Sequence, residues 1–307
     1  VSNSMQDLGG ICGYINSTEC SIEDCSNSGS IRPGSLTTND DFSGVGGICG
    51  ASLMSLDIVR CSNSGEIKSF PGRYSGRAGG IVGILVGDAV NCYNTGSVSS
   101  DGQSPNIIGG ICGGLSTYST VTNCYNVGTV TGNSYVGSIC GRANATGVAN
   151  CFYLEGSAMS NIISGSSNEG VPQNGIGCSD SNETLADTEG STTSAVSAEF
   201  ASGSICYALN GNTGEGDLVW YQTLRTDTIP RFEGKTVYYD SEKDFYYNIN
   251  DNGDVNGDGQ VTIADVTALV NIILGKGTEN AAADVNEDGN VTIADVTALV
   301  NLILGKS

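Results

Sequence analysis

Two acidic, glycine-bearing segments near the C-terminus carry oxygen side chains at spacings that suit a hard metal ion. The first reads DVNGDGQVTIAD from Asp254, and the second reads DVNEDGNVTIAD from Asp284. In both, Asp or Asn occupies positions one, three and five, glycine occupies position six, and aspartate occupies position twelve. These are the offsets of a twelve-residue calcium loop. The spacing therefore predicts two Ca²⁺ sites, with a merely solvated acidic turn as the alternative.

The predicted calcium ligands are side-chain oxygens, except at position seven, where the backbone carbonyl is the donor. In the two loops they are Asp254, Asn256, Asp258, Gln260 and Asp265, then Asp284, Asn286, Asp288, Asn290 and Asp295. Thr262 and Thr292, at position nine, are expected to reach the ion through a water molecule. Gly259 and Gly289 allow the sharp turn that the loop requires.

A short apolar helix is predicted after each loop. The residues that recur at i, i+3, i+4 and i+7 are Val266, Leu269, Val270 and Ile273, then Val296, Leu299, Val300 and Ile303. They form one apolar face on a helix of about ten residues. The segments before the loops, FYYNINDNG and GTENAAA, predict no entering helix, and aspartate replaces the usual glutamate at position twelve.

Two loop-helix units, closed by aspartate and placed at the C-terminus, resemble the type I dockerin over Gly253–Lys306. The resemblance implies a small all-α, EF-hand-like module with one Ca²⁺ per loop, two antiparallel units and a cohesin module as partner. It places loop positions ten and eleven on the partner surface: Ile263, Ala264, Ile293 and Ala294.

Many cellulosomal dockerins carry hydroxyl side chains at these positions, so the partner's identity is open. The alternative is that Ile263 and Ile293 pack in the core. The near-identity of the two copies predicts docking in either orientation. Because so small a module buries little apolar surface, metal binding is expected to supply much of its folding free energy.

Short glycine-rich boxes recur through the first half of the chain. The first kind reads GGICG, GGIVG or GSICG and begins at Gly9, Gly46, Gly79, Gly109 and Gly137. The second kind begins at Cys25, Cys61, Cys92, Cys124 and Cys151. The period shrinks from 37 to 28 residues, the length of one solenoid coil. Together with short alternating apolar stretches, it predicts a mainly β chain: a β-solenoid of the parallel β-helix type, of about five coils. A β-sandwich with regular hairpins is the alternative.

Asparagine and cysteine repeat with these boxes. Asn27, Asn63, Asn94 and Asn126 are expected either to occupy left-handed corners or to stack their amides between coils. The cysteines of the boxes are predicted to be buried free thiols, because parallel strands hold Cβ atoms farther apart than a disulfide prefers. Disulfides remain open for Cys20, Cys178 and Cys206, which lie outside the repeated positions.

The box GGIVG followed by NCYNTGSVSS resembles the GLUG-type repeat of large secreted or surface proteins of bacteria. The resemblance extends over residues 9 to about 157. It implies an elongated, adhesin-like β structure without chemistry of its own. The fifth copy, with Ser138 and CFYLEGS, departs from the pattern, as a terminal coil is expected to do.

The sequence divides into four predicted regions: repeats over 1–160, a polar segment and aromatic β cap over 161–240, a linker over 241–252 and the dockerin over 253–307. Trp220 and Tyr221 belong to the aromatic region. They are expected to form the core of a small cap, and the alternative is a platform on which a plant or host glycan stacks.

Composition excludes several functions. The net charge of -21 opposes nucleic-acid binding. The absence of histidine removes the common nucleophile-base couples. No apolar run reaches the roughly 18 residues of a membrane span, and the chain, which begins at Val1, is interpreted as a mature or trimmed fragment.

These observations predict a secreted, cell-surface-associated bacterial protein that docks through its dockerin and is not an enzyme. The alternatives are a dockerin-bearing β-helix polysaccharide lyase or glycosidase and a glycan-binding module. Few basic residues and no paired carboxylates in the repeats speak against the enzyme.

Overall fold

The computed structural model divides into two compact units, Val1–Ser197 and Ala198–Ser307. The residues that it describes are 7–34, 43–69, 76–100, 106–143, 147–160, 171–172, 174–178, 191–242, 244–248, 253–258, 260–278, 280–286 and 288–305. Most of the predicted polar segment after residue 160 lies outside these ranges, as do Gly259 and Lys306. Within the described ranges, no helix is long and apolar enough to cross a membrane.

Short parallel strands form five sheets in the first unit, and each sheet collects one strand from successive repeats. Sheet 1 contains Leu8–Gly9, Gly44–Gly46, Arg77–Gly79, Ile107–Gly109 and Tyr135–Gly137. Sheet 2 contains Cys12–Ile15, Cys49–Ser52, Val82–Leu85, Cys112–Leu115, Cys140–Arg142 and Ile176–Cys178. Sheet 3 contains Cys20–Glu23, Leu56–Val59, Gly87–Val90, Thr120–Thr122 and Val148–Ala149.

The other two sheets continue past the fifth repeat. Sheet 4 contains Ser26–Asn27, Ser62–Asn63, Tyr93–Asn94, Tyr125–Asn126, Cys151–Leu154 and Thr192–Ala195. Sheet 5 contains Ile67–Lys68, Val98–Ser99, Val130–Gly132, Ala158–Ser160 and the antiparallel strand Val171–Pro172. The first unit thus extends beyond residue 160, the predicted boundary, because later strands add to sheets that the repeats begin.

Equivalent residues of successive repeats lie side by side. Gly46, for example, pairs with Gly9 on one side and with Gly79 on the other. This register confirms the β-solenoid and excludes the β-sandwich. Five stacked strands are separated by four steps, so the chain completes about four turns between the first repeat and the fifth.

The cysteines fill the solenoid core as free thiols. Cys92, Cys124 and Cys151 each donate a weak hydrogen bond to a carbonyl of the preceding coil, at 3.4–3.6 Å. Burial raises the pKa of the Cys49 thiol to about 12, so this thiol stays protonated. Cys178 lies in sheet 2 opposite Arg142 and forms no disulfide.

Asparagine side chains form a continuous ladder through the solenoid. Each Nδ2 donates to the Oδ1 of the next coil, at 2.7 Å from Asn27 to Asn63 and 2.8 Å from Asn63 to Asn94 and from Asn94 to Asn126. Each amide also bonds both backbone groups of the glycine two residues later, as in Gly96. The ladder ends at Asn126, because the next coil places Tyr153 at that register.

The left-handed corners lie elsewhere, one residue before each cysteine of the second box. Their φ angles run from +48° to +55°, at Asp24, Arg60, Asn91, Asn123 and Asn150. The two expected roles of asparagine are therefore divided between two sets of positions. The stacked asparagines bond one another through their side-chain amides, and the residues before the cysteines adopt the left-handed corners.

The second unit begins with two short helices: α1 is Ser197–Ser202 and α2 is Ser204–Leu209. The first residue of α1 is the last residue of the first unit. An antiparallel hairpin follows, formed by Val237–Asp240 and Phe245–Asn248. Part of the predicted linker over 241–252 is therefore a strand. Its tyrosines account for this, since the Tyr246 ring packs at a tilt against that of Tyr239 with ring centroids 4.8 Å apart.

Two eleven-residue helices organise the C-terminal module: α3 is Ile263–Ile273 and α4 is Ile293–Ile303. Leu269 and Leu299 are fully buried in one apolar cluster between them. A single 3₁₀ turn, Ala281–Ala283, precedes the second loop and contributes Ala283 to that cluster. Short apolar helices after each loop were predicted, and this part of the fold is confirmed.

We predict that Asn94→Ala lowers the solenoid's free energy of unfolding by about 2 kcal/mol or more, since it leaves buried backbone groups of Gly96 without partners. Asn27→Ala is the matched control. Asn27 is only half-buried at the end of the ladder, so its loss should cost less than about 1 kcal/mol. Urea unfolding followed by circular dichroism measures both, and equal losses would contradict the ladder's role.

Candidate metal centre and docking face

Three carboxylates converge in the first loop of the C-terminal module. Oxygens of Asp254, Asp258 and Asp265 all lie within 4.8 Å of one another, the one such group of three among the described residues. Three carboxylate oxygens at this spacing form a donor set for a hard cation such as Ca²⁺. The sequence placed these residues at loop positions one, five and twelve, and the fold brings them together.

Hydrogen bonds within the loop hold the remaining predicted ligands beside this cluster. The Asn256 amide donates to Asp258 at 2.9 Å, and its Oδ1 accepts the backbone N–H of Asp258 at 2.8 Å. The backbone N–H of Gln260 donates to Asp258 at 2.9 Å. Gly257 adopts a φ of +70°, which accommodates the tight curvature. The backbone is therefore wrapped around the carboxylates.

A fully buried aspartate closes each loop and begins each helix. Asp265 accepts the backbone N–H of Asn256 at 3.0 Å through one oxygen and that of Thr262 at 2.8 Å through the other. The Thr262 side chain accepts the backbone N–H of Ala264, which completes a capping box for α3. The structure thus assigns Thr262 a helix-capping role, and its contact to an ion through a water molecule stays a prediction.

The second loop repeats these hydrogen bonds, but its carboxylates at positions one, five and twelve, Asp284, Asp288 and Asp295, do not all lie within 4.8 Å of one another as those of the first loop do. Asp295 accepts the backbone N–H groups of Asn286 at 3.1 Å and Thr292 at 2.7 Å. Burial pushes the pKa of Asp295 upward, but these backbone donors outweigh it and hold that pKa below the usual value. Asp284 accepts the N–H groups of Asp288 and Gly289, whose φ is +84°. The charged form of Asp295 is therefore favoured in this loop.

The predicted partner residues lie on the surface of the module. Ile263 and Ile293 are each 71% exposed, and Ala264 and Ala294 are exposed beside them. Core packing of the two isoleucines, the alternative left open by the sequence, is wrong. The core positions are taken instead by neighbours such as Val261 and Val291.

Each helix carries a second exposed apolar residue beyond its C-terminal end. Leu274 is 60% exposed and Leu304 is 59% exposed. Eleven residues separate Leu274 from Ile263, a spacing that returns to nearly the same helix face. These leucines were missed in the sequence because each directly follows an isoleucine of the predicted apolar face, Ile273 or Ile303. Ile273 is itself 37% exposed, so its predicted place in the core is wrong. We call Ile263, Leu274, Ile293 and Leu304 the apolar docking residues.

Trp220 and Tyr221 are held by the fold of the second unit. Trp220 is fully buried, 4.9 Å between ring centroids from Phe232, and its backbone N–H donates to the Asn210 side chain at 3.0 Å. A buried indole has no free face for a sugar ring, so the alternative of a stacking platform is wrong for Trp220, and its burial agrees with the expected core of a small cap. Tyr221 is half-buried, and its hydroxyl donates to the Leu218 carbonyl.

Comparison with protein families assigns two parts of the chain. The family described as the Dockerin type I domain matches residues 252–304, and the GLUG motif matches residues 104–131. The C-terminal module is therefore a type I dockerin, and the solenoid contains a GLUG motif. No curated protein and no solved structure matches the chain significantly.

A type I dockerin typically binds calcium, and it implies a cohesin as partner. The acidic cluster of the first loop agrees with the first of these properties. Proteins that carry dockerins are typically extracellular and associated with the cell surface.

We predict that Asp258→Ala weakens calcium binding at the first loop by at least about tenfold, because it removes one of three clustered carboxylates. Gln260→Ala is the control. Its side chain is exposed and only its backbone carbonyl is expected to bind the ion, so affinity should stay within about twofold. Calorimetry on both variants measures the effect, and a large loss in the Gln260 variant would reject this ligand assignment.

Proposed function

We propose that this chain is a non-catalytic, bacterial, cell-surface-associated protein whose dockerin attaches the solenoid to a cohesin-bearing scaffold when calcium is bound. The observation that carries the proposal is the duplicated loop-helix unit. Each copy joins a buried closing aspartate to a helix that begins with an isoleucine exposed to 71%. Metal binding and partner contact are thus adjacent in the chain.

Each loop holds one Ca²⁺ in this proposal. Asp254, Asn256, Asp258, Gln260 and Asp265 would hold the first ion, and Asp284, Asn286, Asp288, Asn290 and Asp295 the second. Calcium supplies positive charge that offsets repulsion among the clustered carboxylates. The chain's own contribution is orientation, since Asp265 and Asp295 bond backbone groups both in the loop and at the helix start. A loop ordered by the ion therefore fixes the position of Ile263 or Ile293.

The apolar docking residues give the two helices nearly equivalent surfaces. Thr267 and Thr297 reinforce the likeness, since each hydroxyl donates to the carbonyl of its own isoleucine at 3.3 Å. A cohesin that binds one surface can bind the other after rotation of the dockerin through half a turn. Burial of large apolar side chains in the partner supplies the affinity.

The solenoid acts as a spacer or adhesive surface in this proposal. The chain contains no histidine, and its single tryptophan is buried in the second unit. These observations favour a spacer or adhesive surface over an enzyme that turns over a substrate. An activity screen on pectins, mucins and hemicelluloses should therefore detect no cleavage, and cleavage of any of them would support a polysaccharide lyase or glycosidase instead.

We predict that Ile263→Asp or Ile293→Asp alone reduces affinity for a cognate cohesin by only about twofold, because one of two orientations remains. The double variant should lose at least about a hundredfold. Binding of a panel of type I cohesin modules, measured by calorimetry in calcium, tests this. Lys276→Ala, at an exposed position after α3, is the control.

A single substitution that abolishes binding would show one fixed orientation. Unchanged affinity in the double variant would remove the isoleucines from the partner surface. Circular dichroism of each variant in calcium verifies that the helices are retained.

A further inference from the structure

The two acidic loops of the dockerin differ in the residue that follows the asparagine at position three. Asn256 is followed by Gly257 in the first loop, whereas Asn286 is followed by Glu287 in the second. The backbone nitrogen of the next residue can attack an asparagine side chain at Cγ, and glycine hinders this ring closure least because it has no Cβ. The first loop is therefore open to a covalent change that the second loop resists.

Hydrogen bonds in the first loop fold the Asn256 side chain back over its own backbone. Its Oδ1 accepts the backbone N–H of Asp258 at 2.8 Å, and its Nδ2 donates to the Asp258 carboxylate at 2.9 Å. An amide bonded to the residue two positions ahead keeps its Cγ close to the backbone of the intervening Gly257. The Asp258 N–H also stabilises the negative charge that develops on Oδ1 when Cγ is attacked. The loop thus holds the amide near its attacking nitrogen and polarises its carbonyl.

The surroundings of Gly257 leave room for the reaction. Its φ is +70°, and no described atom outside its chain neighbours lies within 4 Å of the position that a Cβ would occupy. Asn256 and Gly257 are both exposed, so water reaches them. The backbone can therefore make the adjustment that ring closure requires without displacing a packed neighbour.

The other two asparagine-glycine pairs among the described residues are held differently. Asn210 donates to the Trp220 carbonyl at 2.7 Å and accepts the Trp220 N–H at 3.0 Å, which fixes its side chain on a segment ten positions away. Asn174 precedes Gly175, which is buried against the Thr192 side chain, 2.4 Å from the position of a Cβ. Neither pair combines an amide folded over its own backbone with an open glycine.

We propose that Asn256 is a site of spontaneous deamidation. The Gly257 nitrogen gives its proton to water and forms a bond to Cγ of Asn256. The bond between Cγ and Nδ2 then breaks, and Nδ2 takes up a proton from water and leaves as ammonia. A second water molecule opens the resulting five-membered succinimide ring at either of its two carbonyls. The product at position 256 is aspartate or isoaspartate, and the reaction consumes only water.

Deamidation makes the two copies of the module unequal, an effect that rests on the calcium loops of the proposed function. Isoaspartate adds one carbon to the main chain after position 256 and so displaces Asp258, one of the three clustered carboxylates. Asn286 has the equivalent hydrogen bonds, both at 3.0 Å, but Glu287 follows it. A chain aged without calcium therefore loses its first site and keeps its second.

Peptide mapping by mass spectrometry of the full chain, aged in EDTA at mildly alkaline pH, tests the proposal. We expect a mass gain of about 1 Da at Asn256, with isoaspartate among the products. The gain should appear at least about tenfold faster than at Asn286. Fragment ions separate Asn256 from Asn252, which also precedes a glycine.

A reciprocal exchange between the loops supplies the matched controls. Gly257→Glu should slow conversion of Asn256 at least about tenfold, and Glu287→Gly should accelerate that of Asn286 by a similar factor. Equal rates at Asn256 and Asn286 in the unmodified chain would overturn the proposal. So would conversion confined to Asn252, or a Gly257→Glu variant that converts as fast as the unmodified chain.

Calorimetric titration of calcium into fresh and aged chain tests the consequence for the first loop. The number of bound ions should fall from two towards one as the isoaspartate fraction rises. Two ions bound after full conversion to isoaspartate would show that the change does not disable this loop. A fresh chain that binds no calcium would overturn the proposed function, whereas the mass measurement would still decide whether Asn256 deamidates.

Discussion

Both halves of the chain depend on buried polar side chains that are paired with backbone groups. In the solenoid, Asn94 bonds the backbone of Gly96 and the amides of two neighbouring coils. In the dockerin, Asp265 bonds the backbone at loop position three and at the helix cap. A buried amide or carboxylate without such partners would oppose folding, so these bonds specify one register in each half.

The two halves use repetition for different ends. In the solenoid, equivalent residues stack in contact, so that one ladder and one column of core side chains serve every coil. In the dockerin, the copies share the cluster around Leu269 and Leu299 but each keeps its own exposed isoleucine. Repetition therefore produces a continuous core in one half and two equivalent surfaces in the other.

Local spacing was enough to predict the loops, helices and solenoid, because each depends on fixed offsets along the chain. Features that depend on contacts between residues distant in the sequence were harder to predict. The hairpin partner of Tyr239 required a pairing across a turn, so Phe245–Asn248 was interpreted as linker. The corner at Arg60 was missed because arginine has no preference for a positive φ. The burial of Trp220 was expected, but its partners Asn210 and Phe232, ten and twelve positions away, were not.

Calcium stoichiometry tests the central claim most directly. Calorimetric titration of Ca²⁺ into the EDTA-stripped chain should give two bound ions and, by circular dichroism, a gain of helix. The Asp254→Ala, Asp284→Ala double variant should bind neither ion at the same concentrations and show no such gain. An absence of binding to the unmodified chain, or two ions bound with no change in helix content, would contradict a calcium-ordered dockerin.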